Sequence, residues 1–134
     1  MTEPQRQESR TLIHYNMIRV DEDKSSIYKL SEFVAKKLNV SLESIRSRYP
    51  GDRERHICQA RQIAMWLYLD YYGNEMSLKS IGIFFGNRDH TTVLNARKQI
   101  NNLMDSDKKF HRLIHEEIYP ELLEYLESKT KISE

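Results

Sequence analysis

Two groups of side chains in this sequence have the types and spacing to act on a polyanion. Asp89, His90, Thr91 and Thr92 follow a Gly86-Asn87 pair and open a run in which Val93, Ala96 and Ile100 recur at helical spacing. At the start of a helix such residues can present hydrogen-bonding groups to base edges. Imidazole donates or accepts, a threonine hydroxyl bonds a base while its methyl packs on thymine, and a carboxylate accepts from the cytosine amino group. Upstream, Ser44 to Gln62 holds Arg46, Arg48, Arg53, Arg55 and Arg61 against only Asp52 and Glu54. That cluster can meet a phosphate backbone although the net charge of the whole chain is only +1. From Asp107 onward the balance reverses, with five Lys or Arg against seven Asp or Glu.

The elements that must position these groups read as helices. A first helix is expected from about Ser26 to Leu38, with Leu30, Phe33, Val34 and Leu38 at helical steps and Ser25 or Ser26 as its cap. Asn39 offers a stop, and SLES at 41–44 starts a short turn carrying Leu42 and Ile45 inward. The stretch RSRYPGDRER then reads as a basic loop. A second long helix, from about His56 to Tyr72, presents Ile57, Ala60, Ile63, Ala64, Leu67 and Tyr71 on one face and closes at Gly73-Asn74. Ser77 caps SLKSIGIFF, whose Leu78, Ile81 and Phe85 point inward. Gly86-Asn87 allows the left-handed backbone of a tight turn. The next helix begins near His90 with Asp89 at its cap and a buried stripe of Val93, Leu94, Ala96, Ile100 and Leu103. Pro120 either opens a further helix or kinks one, between Phe110, Leu113, Ile114 and Ile118 before it and Leu122, Leu123 and Leu126 after it.

This is an all-α pattern: a single helical domain over 26–128, with a mobile N-terminal arm over 1–25 and a flexible tail over 129–134. A short helix, a glycine-containing turn and a longer helix opening on small polar residues is the grammar of a helix-turn-helix. No apolar run approaches the roughly 20 residues that span a bilayer, and MTEPQRQESR lacks the apolar core of a secretory signal, so a cytoplasmic protein with no membrane partner is expected. Cys58 is the single cysteine and reads as a small buried residue. His111 and His115 have a zinc-compatible spacing but no third ligand in view, so no metal and no cofactor are expected. Trp66, Tyr68, Tyr71 and Tyr72 read as packing rather than as base-stacking platforms. No triad, carboxylate pair or GxxxxGK[ST] phosphate loop stands out, so neither an enzyme nor a nucleotide motor is expected.

ARQIAMWL at 60–67 and FFGNRDHTTVLNARKQI at 84–100 resemble the C-terminal DNA-binding domain of the bacterial chromosomal replication initiator DnaA. The resemblance extends back through RERHICQ and LSEFVAKKLNVSLESIRSR, covering about Ile27 to Asp107. It implies a Trp-repressor-like helix-turn-helix fold and double-stranded DNA as partner, read at short A·T-rich boxes. By resemblance Arg53, with Arg55 nearby, enters the minor groove, where narrow A·T tracts concentrate negative potential. Arg61 and Gln62 match phosphate contacts, Asp89, His90 and Thr91 match base readers, and Arg88 and Thr92 match backbone contacts. Ser77 and Lys79 stand at the start of the supporting helix, whose free amides favour a phosphate. Asp89 is open to either of two roles, a helix cap or a base contact. The chain departs from the family pattern at Gly51-Asp52 in the basic loop, in the longer GNEM connection at 73–76, and at Lys79 where proline is frequent. The alternative reading is an initiator-like interaction module that no longer depends on DNA. The arm and the C-terminal helices are the segments open to a protein partner, and a monomer is expected.

Overall fold

The computed structural model describes residues 25–48 and 54–133, so the arm before Ser25 and the loop residue Arg53 lie outside the described residues. Hydroxyl caps open the early helices where the sequence supplies them. Ser25 Oγ accepts from the Tyr28 amide at 3.3 Å to start α1 (Ser26–Lys37), and Ser41 Oγ accepts from the Ser44 amide at 2.9 Å to start α2 (Leu42–Ile45). Each bond satisfies an amide that has no partner within its own helix. Asn39, at φ 59°, turns the chain between them. α3 (Arg55–Tyr72) ends at Gly73, where φ is 65°. A 3₁₀ turn, Gly73–Glu75, takes up the long connection to α4 (Leu78–Phe84), which Ser77 caps by accepting from the Ser80 amide at 3.0 Å. Gly86 and Asn87, at φ 96° and 59°, form the tight turn into α5 (His90–Ser106). The fold is all-α, and among the described residues no helix is long and apolar enough to cross a membrane.

α3 is the central strut, packed against both α1 and α5. Every residue from Ile63 to Tyr68 is buried, which a helix can sustain only when neighbours cover it on several sides. Trp66 and Tyr68 are thus packing residues, as their spacing suggests. Two residues expected inside face outward: Tyr71 is 42% exposed and Leu94 is 37% exposed. The buried stripe of α5 is Val93, Ala96, Ile100 and Met104. Those steps of three and four keep one face, and Leu94 lies one residue round from it.

Beyond Asp107, whose carboxylate accepts from the Lys109 and Phe110 amides at 3.0 and 3.2 Å, the backbone stays helical to Ser133. It runs as α6 (Lys108–Arg112), a π-helical stretch (Leu113–Ile118) and α7 (Tyr119–Ser133). Pro120 therefore sits in the first turn of α7, directly after the π turn. Proline has no amide to donate and its ring crowds the carbonyl four residues back, and a wider turn just ahead accommodates both. Phe110, Ile114, Ile118, Leu122 and Leu126 are all buried. Their steps of four overshoot a 3.6-residue turn, and the wider π turn brings the seam back into phase. No glycine or proline follows Pro120, so the helix continues through 129–133, where the sequence suggests a tail. Trp66 Nε1 donates to Asn101 Oδ1 at 2.8 Å, and Tyr119 Oη donates to Asp70 Oδ2 at 2.7 Å. Burial, then the adjacent Asp70 carboxylate, pushes the Tyr119 phenol above its ordinary value, so it remains a donor.

The turn ahead of α5 closes tightly against α4 at Gly82. Its carbonyl accepts from the Arg88 amide at 2.7 Å, and a Cβ there would fall well inside contact distance of the Arg88 carbonyl oxygen. Gly82→Ala is predicted to lower stability by about 1–3 kcal/mol, the usual range for forcing a methyl into a packed site. Urea denaturation checks this, and an unchanged midpoint would mean that the turn has room to give.

Candidate nucleic-acid interface

α5 opens with an exposed polar edge. Asp89 takes the extended backbone of an N-cap, at φ −68° and ψ 155°, and its carbonyl accepts from the Thr92 amide at 3.0 Å. The side chains of Asp89, His90, Thr91 and Thr92 are all exposed. Asp89 Oδ1 lies 2.9 Å from His90 Nδ1, so the carboxylate can orient the imidazole. The carboxyl group lies beside the first amides of α5 without the full geometry of a capping bond. The His90 amide, then the Thr91 hydroxyl, hold it below the usual carboxylate range. A negative charge is in any case favoured at this end of a helix.

The arginines divide differently from what residue type alone suggests. Arg61, expected on phosphate, is only 5% exposed. Its Nε donates to Ile45 O at 2.7 Å, its Nη2 to Ser44 O at 3.1 Å and Ser47 O at 3.5 Å, and its Nη1 to Cys58 Sγ at 3.8 Å. At the end of α2 Ser44 O already accepts from the Ser47 amide at 3.2 Å, and this guanidinium adds a charged donor there and at Ile45 O. The structure holds Arg61 as an internal clamp, where residue type and resemblance lead one to expect a phosphate contact. Arg61 also falls at four residues from Ile57 and three from Ala64, on the buried face of α3, and that spacing was the available signal. Arg88 is half-buried under the turn, its Nη1 donating to Phe85 O and, at 2.9 Å, to Ser47 O. The basic segment is laced to the same turn from outside. Arg46 Nε donates to Phe84 O at 3.0 Å with its guanidinium 3.9 Å over the Phe84 ring, and Arg48 Nη1 donates to Asn87 O at 2.6 Å.

The remaining candidates lie at the surface. Arg55 is exposed at the first position of α3, and half-buried Gln62 lines a polar cleft with it between α3 and α5. Lys79 is exposed in the first turn of α4, while Ser77 Oγ is engaged by the Ser80 amide and hydroxyl, both at 3.0 Å. Arg53 lies outside the described residues. Gly82, which permits the close approach of the Arg88 backbone to α4, is the position that residue-by-residue reading missed. His111 and His115 stack with ring centroids 4.4 Å apart and are exposed, and the described residues hold no group of three or more metal-ligating side chains.

Residues 27–100 match the family model of the bacterial dnaA protein helix-turn-helix. The chain is 38% identical over 89 residues to the chromosomal replication initiator protein DnaA of Flavobacterium psychrophilum, an alignment covering 66% of this chain and 18% of the relative. With the chromosomal replication initiator protein DnaA of Bacteroides thetaiotaomicron it shares 35% identity over 91 residues, covering 68% and 18%. The chain thus spans less than a fifth of the length of these curated relatives.

Arg61→Ala is predicted to cost about 2–4 kcal/mol of stability, because several carbonyls lose a charged donor at once. Lysine should not restore it, since an ammonium lacks the planar fork that reaches them together. Denaturant unfolding checks both variants, and full stability with lost DNA affinity would return Arg61 to the phosphate contacts. A second prediction concerns pH. In the folded protein the Asp89 carboxyl should titrate below 3.8. A folded value lower than the unfolded one means that its contribution is complete above the unfolded value and is lost as pH falls through the folded one. Carbon NMR of the side chain measures the midpoint, and a value at or above 3.8 contradicts the geometry.

Proposed function

This chain belongs to the bacterial DnaA helix-turn-helix family, and on that premise we propose that it binds double-stranded DNA at short A·T-rich boxes like those of the replication initiator and acts by occupying them, as a regulator or competitor. The observation that carries this reading is the exposed set Asp89, His90, Thr91 and Thr92 on the first turn of α5, behind a turn with little conformational slack. In this reading α5 enters the major groove, His90 and Thr91 read base edges, and Asp89 orients His90 or accepts from a base. Arg53 reaches into the adjacent minor groove. Arg48, five residues ahead of Arg53 in the chain, is bonded to the carbonyl of Asn87, and this anchoring beside the turn supports a continuous footprint. Arg55, Gln62, Lys79, Ser77 and Thr92 remain the candidates for the sugar-phosphate backbone. Arg88 contributes charge, although its guanidinium already bonds two carbonyls.

Binding selection from a random duplex pool should return an A·T-rich motif, and failure to enrich any motif would count against sequence reading. With Arg61 removed from the contacts, Arg53 in the minor groove and Arg55 and Lys79 on phosphate are the main cations that displace counterions. About three contacts give a slope of log affinity against log salt of roughly −3. Titrations across salt concentrations measure it, and affinity that does not change with salt would rule out the proposed backbone contacts. His90→Ala or Thr91→Ala should narrow the gap between the preferred and a scrambled site by about 1–3 kcal/mol, whereas Lys79→Ala should weaken both sites equally. Equal losses on both sites for the α5 variants would show that this helix does not read bases.

A further inference from the structure

A groove of about 1050 Å³ lies between α2 and the C-terminal end of α4, on the flank of the helix-turn-helix. Tyr28, Leu42, Ile83 and Phe84 give it an apolar lining, and Arg46 and Arg48 outnumber the one lining carboxylate, Glu43. Ile83 is 53% exposed, more than any other large apolar side chain among the described residues. Both arginines are held in place at the groove, Arg46 on the Phe84 ring and carbonyl and Arg48 on Asn87 O, and neutral carbonyls leave their charge uncompensated. An apolar lining beside fixed positive charge suits an occupant with apolar side chains followed by carboxylates.

The chain carries such a segment just ahead of α1 in sequence. Leu12, Ile13, Met17, Ile18 and Val20 are followed at once by Asp21, Glu22 and Asp23, and α1 begins at Ser26, two residues before Tyr28 on the groove wall. The link from Val20 to Ser25 reaches about 17 Å when extended, enough to fold back without leaving the neighbourhood of α1. Tethering over so short a link gives an effective concentration on the order of millimolar, which a free partner would have to match. We infer that Leu12–Val20 docks in this groove with its apolar side chains on Ile83 and Phe84 and with Asp21, Glu22 and Asp23 against Arg46 and Arg48. The inference does not depend on DNA binding. It places a run of carboxylates at the edge of the proposed DNA-facing turn.

The test uses the full chain, with a nitroxide on Asn16→Cys in a Cys58→Ser background. The amides of Leu42, Ile83, Phe84 and Asn87 should lose more than half their intensity, and Ile83→Glu, a change at an exposed position, should restore them. Leu123→Glu, exposed on α7, should leave the broadening in place. Sharp groove amides, broadening centred elsewhere, or broadening that survives Ile83→Glu would overturn the proposal. So would broadening of an unlabelled ¹⁵N chain mixed with a nitroxide-labelled ¹⁴N chain, because the arm would then belong to a second copy. A second measurement retains the native Cys58 and needs no label. Glu22→Lys should shift the Arg46, Arg48 and Ile83 amides, and unmoved amides would equally defeat the inference.

Discussion

The helix-turn-helix is held by guanidinium groups donating to main-chain carbonyls, and the Arg61 clamp is the bond set on which the others depend. A buried arginine is costly unless its nitrogens find acceptors, and here the acceptors are carbonyls at the end of a four-residue helix. Each side therefore relieves the desolvation of the other. The result fixes α2 and the segment behind it onto α3. Arg88 then reaches the same Ser47 carbonyl from the turn. One carbonyl thus joins the strut, the basic segment and the turn, and the first residues of α5 inherit that position. Base reading needs donors and acceptors held to a few tenths of an ångström, so rigidity at this point bears directly on discrimination.

This arrangement also changes what the charge distribution means. Among the described arginines of the basic segment, Arg46, Arg48 and Arg61 all donate to carbonyls, as does Arg88 from the turn. A carbonyl does not neutralise a cation, so the exposed Arg46 and Arg48 still add to the local positive potential. Contact with phosphate is a different matter, because a guanidinium committed to the protein has fewer donors to offer. In the proposed function, attraction at a distance and contact on arrival fall to partly different residues. Counting arginines in the sequence measures the first and overstates the second.

Much of the fold is legible in the sequence because local chemistry dictates it. Ser25, Ser41 and Ser77 cap the helices that follow them, and Asn39, Gly86 and Asn87 take left-handed backbone where turns require it. What escapes is set by distant partners. Arg61 carries the charge of a phosphate ligand and sits in a block that resembles one, yet its place on the apolar face of α3 outweighs its type. Gly82 looks like a weak point in a short helix, and only the approach of the Arg88 backbone gives it a reason. Tyr71 and Leu94 are apolar enough to be assigned inward, but Leu94 lies one step off the face that α5 buries, and Tyr71, though in phase with Ala64 and Leu67, lies in the last turn of α3 beyond the buried run 63–68.

The strut also explains why a helix-turn-helix of this size is followed by so much further helix. The family match ends at residue 100, inside α5, whereas the helical chain continues to Ser133. Near its start α3 faces the clamp through Arg61. Further along it presents Trp66 and Asp70 to the later segment, with Trp66 edge-on to Tyr119 and His115 and Asp70 bonded to Tyr119. α7 reaches α1 as well, through the Phe33–Tyr125 ring pair at 5.4 Å and the Lys37–Glu121 ion pair at 2.8 Å. That ion pair is exposed and adds little, about 0–1 kcal/mol. Ile114, Ile118 and Leu122 are each fully buried, and such side chains contribute about 1.5–3 kcal/mol apiece. Apolar burial, with its phase kept by the π turn before Pro120, therefore closes the side of α3 that α1 and α5 leave open. The same strut can then hold a rigid turn near one end because its middle, from Ile63 to Tyr68, is sealed from water.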